Sequence, residues 1–235
     1  METIEITGIQ IDGSADLDME SQQSPVIPQI PEKSWVYSAV KRTVDIVASG
    51  LGFIILLPLT LVLAALIYID DPHGSPFFVQ KRVGKDGREF SFYKLRSMVV
   101  NAEELLDSLQ HQNEMDGPAF KIRDDPRITK IGKFIRKTSL DELPQLINVF
   151  KGDMSLVGPR PPLPREVAQY NDYQRMRLMV RPGLTCIWQI QPRRNDISFD
   201  GWVAMDIEYI QKRSLMFDLQ LILKTFRVVV TGQGE

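Results

Sequence analysis

The chain has 235 residues and a formal net charge of -2, and that charge is unevenly spread. Residues 1–32 hold seven Asp or Glu and no Lys or Arg, so the rest, with 28 cations against 23 acids, is net basic. The single cysteine, Cys186, excludes an internal disulfide framework, and His73 and His111 lack metal-ligand spacing, which argues against a zinc site or a histidine triad.

The length allows one substantial core, hence one main domain with appendages, and neither a Walker A loop nor a dinucleotide-binding glycine fingerprint is present. Met1 to Pro31 is polar and acidic, carries Pro25, Pro28 and Pro31, and is expected to be a mobile tail. It has neither the basic start nor the early apolar run of a signal peptide. After Lys41 and Arg42, the twenty-four residues from Ile46 to Ile69 carry no charge. A helix of that length reaches about 36 Å, enough for a hydrocarbon core of roughly 30 Å. It is apolar all round, with no polar face to offer water. Pro58, at its middle, removes the donor to the Ile54 carbonyl and is expected to kink or break the helix, at ~3 kcal/mol if nothing compensates. A helix broken there can turn back to the face it entered from.

Asp70-Asp71-Pro72-His73-Gly74 ends this helix. Phe77 to Val83 and Arg88 to Phe92 bracket Gly84-Lys85-Asp86-Gly87, which predicts a β-hairpin. Tyr93 to Met98 follows as an amphipathic edge carrying Lys94 and Arg96. Asn101 to Gln110 has helical spacing, and His111 to Pro118 predicts a loop. From Arg127 to Lys137, Ile128, Ile131 and Ile135 share one helical face with Lys130, Lys133, Arg136 and Lys137 around it. Such a helix either packs on the core or lies on anionic lipid.

A helix is expected to start at Ser139, with an apolar stripe of Leu140, Leu143, Leu146, Ile147 and Phe150, and Gly152 is placed to end it. Met154 to Val157 predicts a short strand, and Gly158-Pro159-Arg160-Pro161-Pro162 a stiff turn presenting Arg160. Arg165 to Met179 predicts a helix, Arg181-Pro-Gly-Leu-Thr185 a turn and Ile187 to Ile190 a strand. Arg193-Arg194-Asn195-Asp196 forms a second basic cluster, followed by an amphipathic helix from Phe199 to Lys212 that contains Asp206. The apolar helix Leu215 to Val230 either packs on the body or rests on lipid.

Between Lys121 and Arg165, ten Lys or Arg face five Asp or Glu, an excess suited to a multiply anionic ligand such as a diphosphate. Within that span Ser139-Leu-Asp141-Glu142 fits the S-x-x-E capping box, in which the acids merely cap a helix. The other reading is chemical. A carboxylate near a helix start and among arginines can attack phosphorus or bind Mg²⁺.

Ser139-Leu-Asp-Glu-Leu-Pro-Gln-Leu146, Lys151-Gly-Asp-Met-Ser-Leu-Val-Gly-Pro-Arg-Pro161 and Arg181-Pro-Gly-Leu-Thr185, in that order, closely resemble the bacterial sugar transferase family, the monotopic phosphoglycosyl transferases. The resemblance runs from roughly Lys41 to the C-terminus. It implies that Asp141 attacks a UDP-sugar to form an aspartyl phosphosugar, which a membrane polyprenyl phosphate such as undecaprenyl phosphate then takes up. Glu142 would bind Mg²⁺ with Asp141 or handle protons. Lys94, Arg96, Arg160 and Arg193 or Arg194 would balance phosphate charge, and Asn195 and Asp206 complete the implied substrate-binding set. Family members carry Ser before the breaking proline, where this chain has Leu57, and Gly-Arg-Asn where it has Arg193-Arg194-Asn195.

The expected fold is therefore α+β and mostly helical. It comprises an acidic tail (1–33), a re-entrant membrane helix broken at Pro58 (34–70) and a small cytosolic catalytic domain with a short β-hairpin and amphipathic interfacial helices (71–235). The positive flank before the apolar run places its start in the cytoplasm. Cytosolic nucleotide sugars place the body there too, on the inner membrane of a bacterium. Expected partners are UDP-sugar, polyprenyl phosphate and membrane lipid, with Mg²⁺ as cofactor and no nucleic acid; homo-oligomerisation is left open. Two other functions use the same residues: a membrane-bound Mg²⁺-dependent phosphohydrolase, and a non-catalytic membrane adaptor.

Overall fold

A computed structural model describes residues 28–192 and 194–231; most of the acidic tail, residues 1–27, lies outside the described residues, as does Arg193. The first element is a 36-residue helix, α1 (Trp35–Asp70), capped by the Ser34 hydroxyl, which accepts from the Tyr37 N–H at 3.2 Å. The helix stays continuous across Pro58, so the expected break is not an interruption of its turns. The lost donor is a local defect in a helix of ten turns, and the turns beside it hold, with the Thr60 hydroxyl donating to the Leu56 carbonyl at 2.9 Å.

α1 buries residues against the body on either side of residues 51–59, none of which is buried. Near the start, Lys41 pairs with Asp218 at 2.6 Å, Arg42 donates to the carbonyls of Val149 and Phe150 at 2.6 Å, and Asp45 accepts from Ser155 Oγ and Leu156 N–H. Near the end, Leu63, Ala64 and Ile67 are buried, and Asp71 pairs with Arg96. The opposite face is exposed and apolar, with Val47, Leu51, Ile54, Ile55 and Leu61 among its residues. By length and composition α1 could cross a membrane.

The hairpin forms as expected: β1 (Phe77–Val83) and β2 (Glu89–Leu95) pair antiparallel from Phe77 opposite Leu95 to Val83 opposite Glu89. β2 absorbs Tyr93 and Lys94, which the sequence placed in a separate edge. Residues 99–128 then arch away, closed at the base by the Met98–Ile128 bridge and by Val99 N–H donating to the Arg127 carbonyl. The helix expected from Asn101 to Gln110 is instead a run of turns and the 3₁₀ segment Asp107–Gln112, held by bonds three residues apart such as Leu106 to Glu103 and Leu109 to Leu106.

Thr129 caps α2 (Lys130–Lys137), accepting from the Gly132 N–H at 3.0 Å. Ile131 and Ile135 join Leu63, Ala64, Ile67 and Leu95 in one apolar cluster, so α2 is core-packed, with Lys133, Phe134 and Lys137 on its outer side. α3 (Gln145–Lys151) ends at Gly152 with φ 97°, as expected. β3 (Ser155–Val157) pairs in parallel with β4 (Gly183–Thr185). The Arg-Pro-Gly-Leu-Thr stretch is thus half strand, and Trp188–Ile190, expected as strand, is a 3₁₀ turn. The helix expected from Arg165 to Met179 is broken into α4 (Pro164–Val167), α5 (Asp172–Arg175) and a 3₁₀ turn, because Asn171 starts a new capping box with Gln174.

Two longer helices close the chain. α6 (Phe199–Lys212) buries Phe199, Val203, Ile207 and Ile210. α7 (Leu215–Thr231) buries Leu221 and Asp218 but exposes Met216, Leu219, Leu223 and Phe226. The architecture is mostly helical α+β, with two small sheets of two strands each.

Candidate active site

The turn at Ser139 decides what the acidic pair can do. Ser139 is left-handed (φ 54°), its side chain caps nothing, and its N–H bonds back to the Arg136 carbonyl, so it ends α2 rather than starting a helix. The capping box does not form. Asp141 and Glu142 sit in the 3₁₀ turn Leu140–Glu142, ahead of Pro144 and α3, and both are half-buried in a cleft of ≈ 760 Å³. Among the described residues neither carboxylate is within 4 Å of a cation.

Three supports shape the cleft. The first is β2, which carries Lys94 and is stapled to α3 by fully buried Asn148: its Oδ1 accepts from Tyr93 N–H at 3.1 Å and its Nδ2 donates to the Ser91 carbonyl at 2.7 Å. The second is the Gly158-to-Pro162 turn. A Cβ on Gly183 would lie 2.0 Å from the Gly158 nitrogen, so only glycine lets β3 and β4 approach and hand Arg160 to the cleft. Arg82 on β1 donates to the Pro161 carbonyl at 3.0 Å, and Val83 N–H to the Pro162 carbonyl at 2.9 Å. The third lies beneath: Arg177 donates to Asp206 at 2.7 Å and to Tyr170 at 2.9 Å, and reaches the Arg160 carbonyl at 3.5 Å.

The wall carries twice as many cationic as acidic side chains, Arg82, Lys94, Lys121, Arg136, Arg160 and Arg194 among them. Burial raises the Asp141 carboxyl above the usual range against the pull of Lys94, Arg136 and Arg160; burial and the neighbouring Asp141 raise Glu142. Burial drops the Lys94 ammonium to about 8, opposed by Asp141. Four buried N–H groups in the wall have no hydrogen-bond partner among the described residues: Arg82 Nε, Gln145 Nε2, Trp188 Nε1 and Trp202 Nε1. All four are donors, so the wall is complementary to a ligand rich in anionic oxygens.

The structure thus brings Lys94, Asp141, Glu142, Arg160 and Arg194 into one cleft. Arg96 also lines the cleft. All three of its guanidinium nitrogens are taken up by the loop after α1, through Asp71, Gly74 and Ser75, so it also locks that loop to β2. Asp206 is fully buried below the cleft and pushed up to about 6 by burial against the pull of Arg177. Asn195 lies in the turn Arg194–Asp196, and Arg193 is outside the described residues. Arg82, Arg136, Gln145 and Trp188 were missed; alternation in β1 and the spacing of Gln145 from Asp141 were the available signals.

No group of three His, Cys, Asp or Glu forms a metal site among the described residues. Asp141 and Glu142 alone would hold a divalent ion only with ligand and water oxygens completing the shell, which is how Mg²⁺ is ordinarily bound beside substrate phosphates. The pair fits that ion.

Residues 36–232 match the bacterial sugar transferase family. Over 194 residues the chain is 50% identical to "Galactosyl transferase CpsE" of Streptococcus agalactiae serotype III, covering 83% of this chain and 43% of that protein. It is 43% identical over 200 residues to the "UDP-galactose-lipid carrier transferase" of Erwinia amylovora, and 44% identical over 199 residues to the "Undecaprenyl-phosphate galactose phosphotransferase" of Salmonella typhimurium, each match covering 83% of this chain and 41% of the relative. The chain spans less than half the length of these relatives. With nearly its whole described length inside the match, it belongs to the bacterial sugar transferase family.

Proposed function

We propose that the chain transfers a sugar 1-phosphate from a UDP-sugar to a membrane polyprenyl phosphate, releasing UMP and starting the assembly of a lipid-linked glycan for exopolysaccharide or related polymers. The observation that carries this reading is the Asp141–Glu142 couple, without an ion-pair partner among the described residues, in a cationic cleft whose unpartnered buried groups among those residues are N–H donors. The relatives' names speak of UDP-galactose, a lipid carrier and undecaprenyl phosphate, so a UDP-hexose such as UDP-galactose is the first donor to test.

A carboxylate oxygen of Asp141 bonds to the β-phosphorus as the bond to the bridging oxygen breaks, and the electron pair leaves with UMP. An oxygen of polyprenyl phosphate then bonds to the same phosphorus and the Asp141–phosphorus bond breaks, restoring the carboxylate. One site serves a soluble donor and a lipid acceptor in turn, the logic of covalent catalysis. Lys94, Arg136 and Arg160 lie near Asp141, and Arg160 and Arg194 near Glu142, so they would balance charge on the two phosphates. Arg193 is the alternative to Arg194. Asp206 would act from below, through Arg177 and Arg160, and Asn195 would complete the substrate-binding set. Mg²⁺, held by Asp141 and Glu142, would neutralise diphosphate charge.

The active body, 71–235, would sit on the cytoplasmic face of the inner membrane. Both ends of α1 are fastened to that one body, which favours a helix that enters the inner leaflet and keeps its two ends on one side over one that separates them; any bend would fall at Pro58. The exposed apolar faces of α1 and α7 would meet lipid.

The test is UMP release from UDP-galactose and mass spectrometry of Asp141, with and without polyprenyl phosphate. Wild-type chain should give one turnover and a phosphohexose adduct without lipid, and sustained release with it. Asp141→Asn should abolish both while melting normally. Sustained UMP release without lipid would mean a hydrolase instead, and full activity in Asp141→Asn would reduce the acids to a structural role.

A further inference from the structure

Gln145 opens α3 one turn after Asp141. It is 2% exposed, yet its Nε2 has no hydrogen-bond partner among the described residues. It lines the main cleft and also a smaller recess shared with Arg82, Glu142, Arg160 and Gln189. A buried amide donor left unpaired is costly, so a partner oxygen supplied by a ligand is the natural resolution.

The placement suits one ligand group. Asp141, Glu142 and Gln145 line the main cleft together, and Glu142 lines the smaller recess with Gln145, so a phosphoryl group held at Asp141 lies against the wall that carries the amide. Arg82 and Arg160 bring positive charge to the same recess, and the amide adds direction without adding charge. We infer that Gln145 is a catalytic residue whose side-chain N–H donates to a non-bridging oxygen of the phosphoryl group as it passes onto and off Asp141. The inference rests on the transferase reading above. Gln145 neither gains nor loses a proton; the Asp141–phosphorus bond forms, the phosphorus–bridging-oxygen bond breaks, and the electron pair departs with the nucleoside monophosphate.

The experiment mixes full-length chain, in lipid nanodiscs, with UDP-galactose and no acceptor, and follows the burst of UMP and the Asp141 adduct in wild type, Gln145→Met and Gln145→Glu. Equilibrium binding of UDP-galactose is measured alongside. Gln145→Met keeps the length and removes the donor. Its burst rate should fall about 100-fold, as for loss of one preorganised donor, with donor affinity within about threefold of wild type. Gln145→Glu, of the same size, should fall further, because its charge faces the phosphoryl oxygens; it also serves if the methionine variant fails to fold. A burst rate in either folded variant within about threefold of wild type would overturn the assignment, and would mean the amide is met only by water. So would a loss of affinity equal to the loss of rate, the mark of a ground-state or structural contact. A wild-type chain that gives no burst with any UDP-hexose sinks the transferase reading and this assignment with it, whereas a wild-type burst matched by Gln145→Met sinks this assignment alone.

Discussion

Replacing Asn148 tests whether the cleft depends on a staple outside it. In Asn148→Ala, the Tyr93 N–H loses its acceptor and the Ser91 carbonyl its donor, both at a fully buried position. Each orphaned backbone group costs about 1–3 kcal/mol, so the expected loss is about 2–6 kcal/mol. For a domain of this size each kcal/mol lowers the melting temperature by about 2–4 °C, which places the variant about 4–24 °C below wild type. Activity should fall further than unfolding explains, because β2 carries Lys94 and α3 follows Asp141 directly. Asn148→Asp gives the sign control. It keeps the acceptor for Tyr93 but turns a carboxylate toward the Ser91 carbonyl and the Asp153 carboxylate, which Nδ2 meets at 3.3 Å. The introduced carboxyl then binds its proton more tightly folded than unfolded, so this variant should regain stability as pH falls. Circular-dichroism melts in detergent micelles at several pH values read both effects. An Asn148→Ala melt coinciding with wild type, with activity unchanged, would refute the staple.

With Lys94 at about 8 against 10.5 for a free lysine, kcat/KM should fall as pH rises through about 8, because the ammonium proposed to balance phosphate charge is lost there. Lys94→Arg stays charged and should abolish that limb; a limb unmoved by the substitution assigns it to another group. The sign for stability is opposite: between about 8 and 10.5 the unfolded chain holds the extra proton, so this lysine's contribution to stability rises with pH. Gly183→Ala forces a Cβ within 2.0 Å of the Gly158 backbone and should cost ~3 kcal/mol or more, seen as a lost or strongly lowered melting transition. Asp45→Ala strands the Ser155 hydroxyl and the Leu156 N–H and should lower the melt by several degrees and slow turnover, whereas Asp45→Asn, which keeps an acceptor oxygen, should do less.

Legibility followed how local each signal was. The hairpin was readable because its alternation and its Gly84–Gly87 turn are complete within twenty residues. α6 and the Gly152 stop were readable for the same reason. Ser139 misled because S-x-x-E is a real cap pattern; only the end of α2, which needs a left-handed residue there, reveals that the chain breaks instead of starting a helix. β3 and β4 have three residues each, too few for a period, and their pairing depends on glycines that touch only in three dimensions. The acidic pair and Arg160 could be found from motif and charge. The Asn148 staple and the Arg177–Asp206 pair could not, because Tyr93, Ser91 and Asp206 lie 55, 57 and 29 residues from the side chains they meet. For Arg96, a basic residue near Lys94 has no mark in one dimension to say that Asp71 also claims it.

The fastening of α1 bears on how the protein can be handled. Lys41, Arg42 and Asp45 complete hydrogen bonds for α3, β3 and α7, and Asp71 completes those of Arg96. An anchor is usually treated as removable baggage, trimmed to yield a soluble enzyme. Here trimming would strip polar partners from α3, β3 and α7 and from Arg96, and uncover the apolar cluster of Leu95 and Ile135, at once, so α1 is part of the body's own interior and should be kept in any preparation.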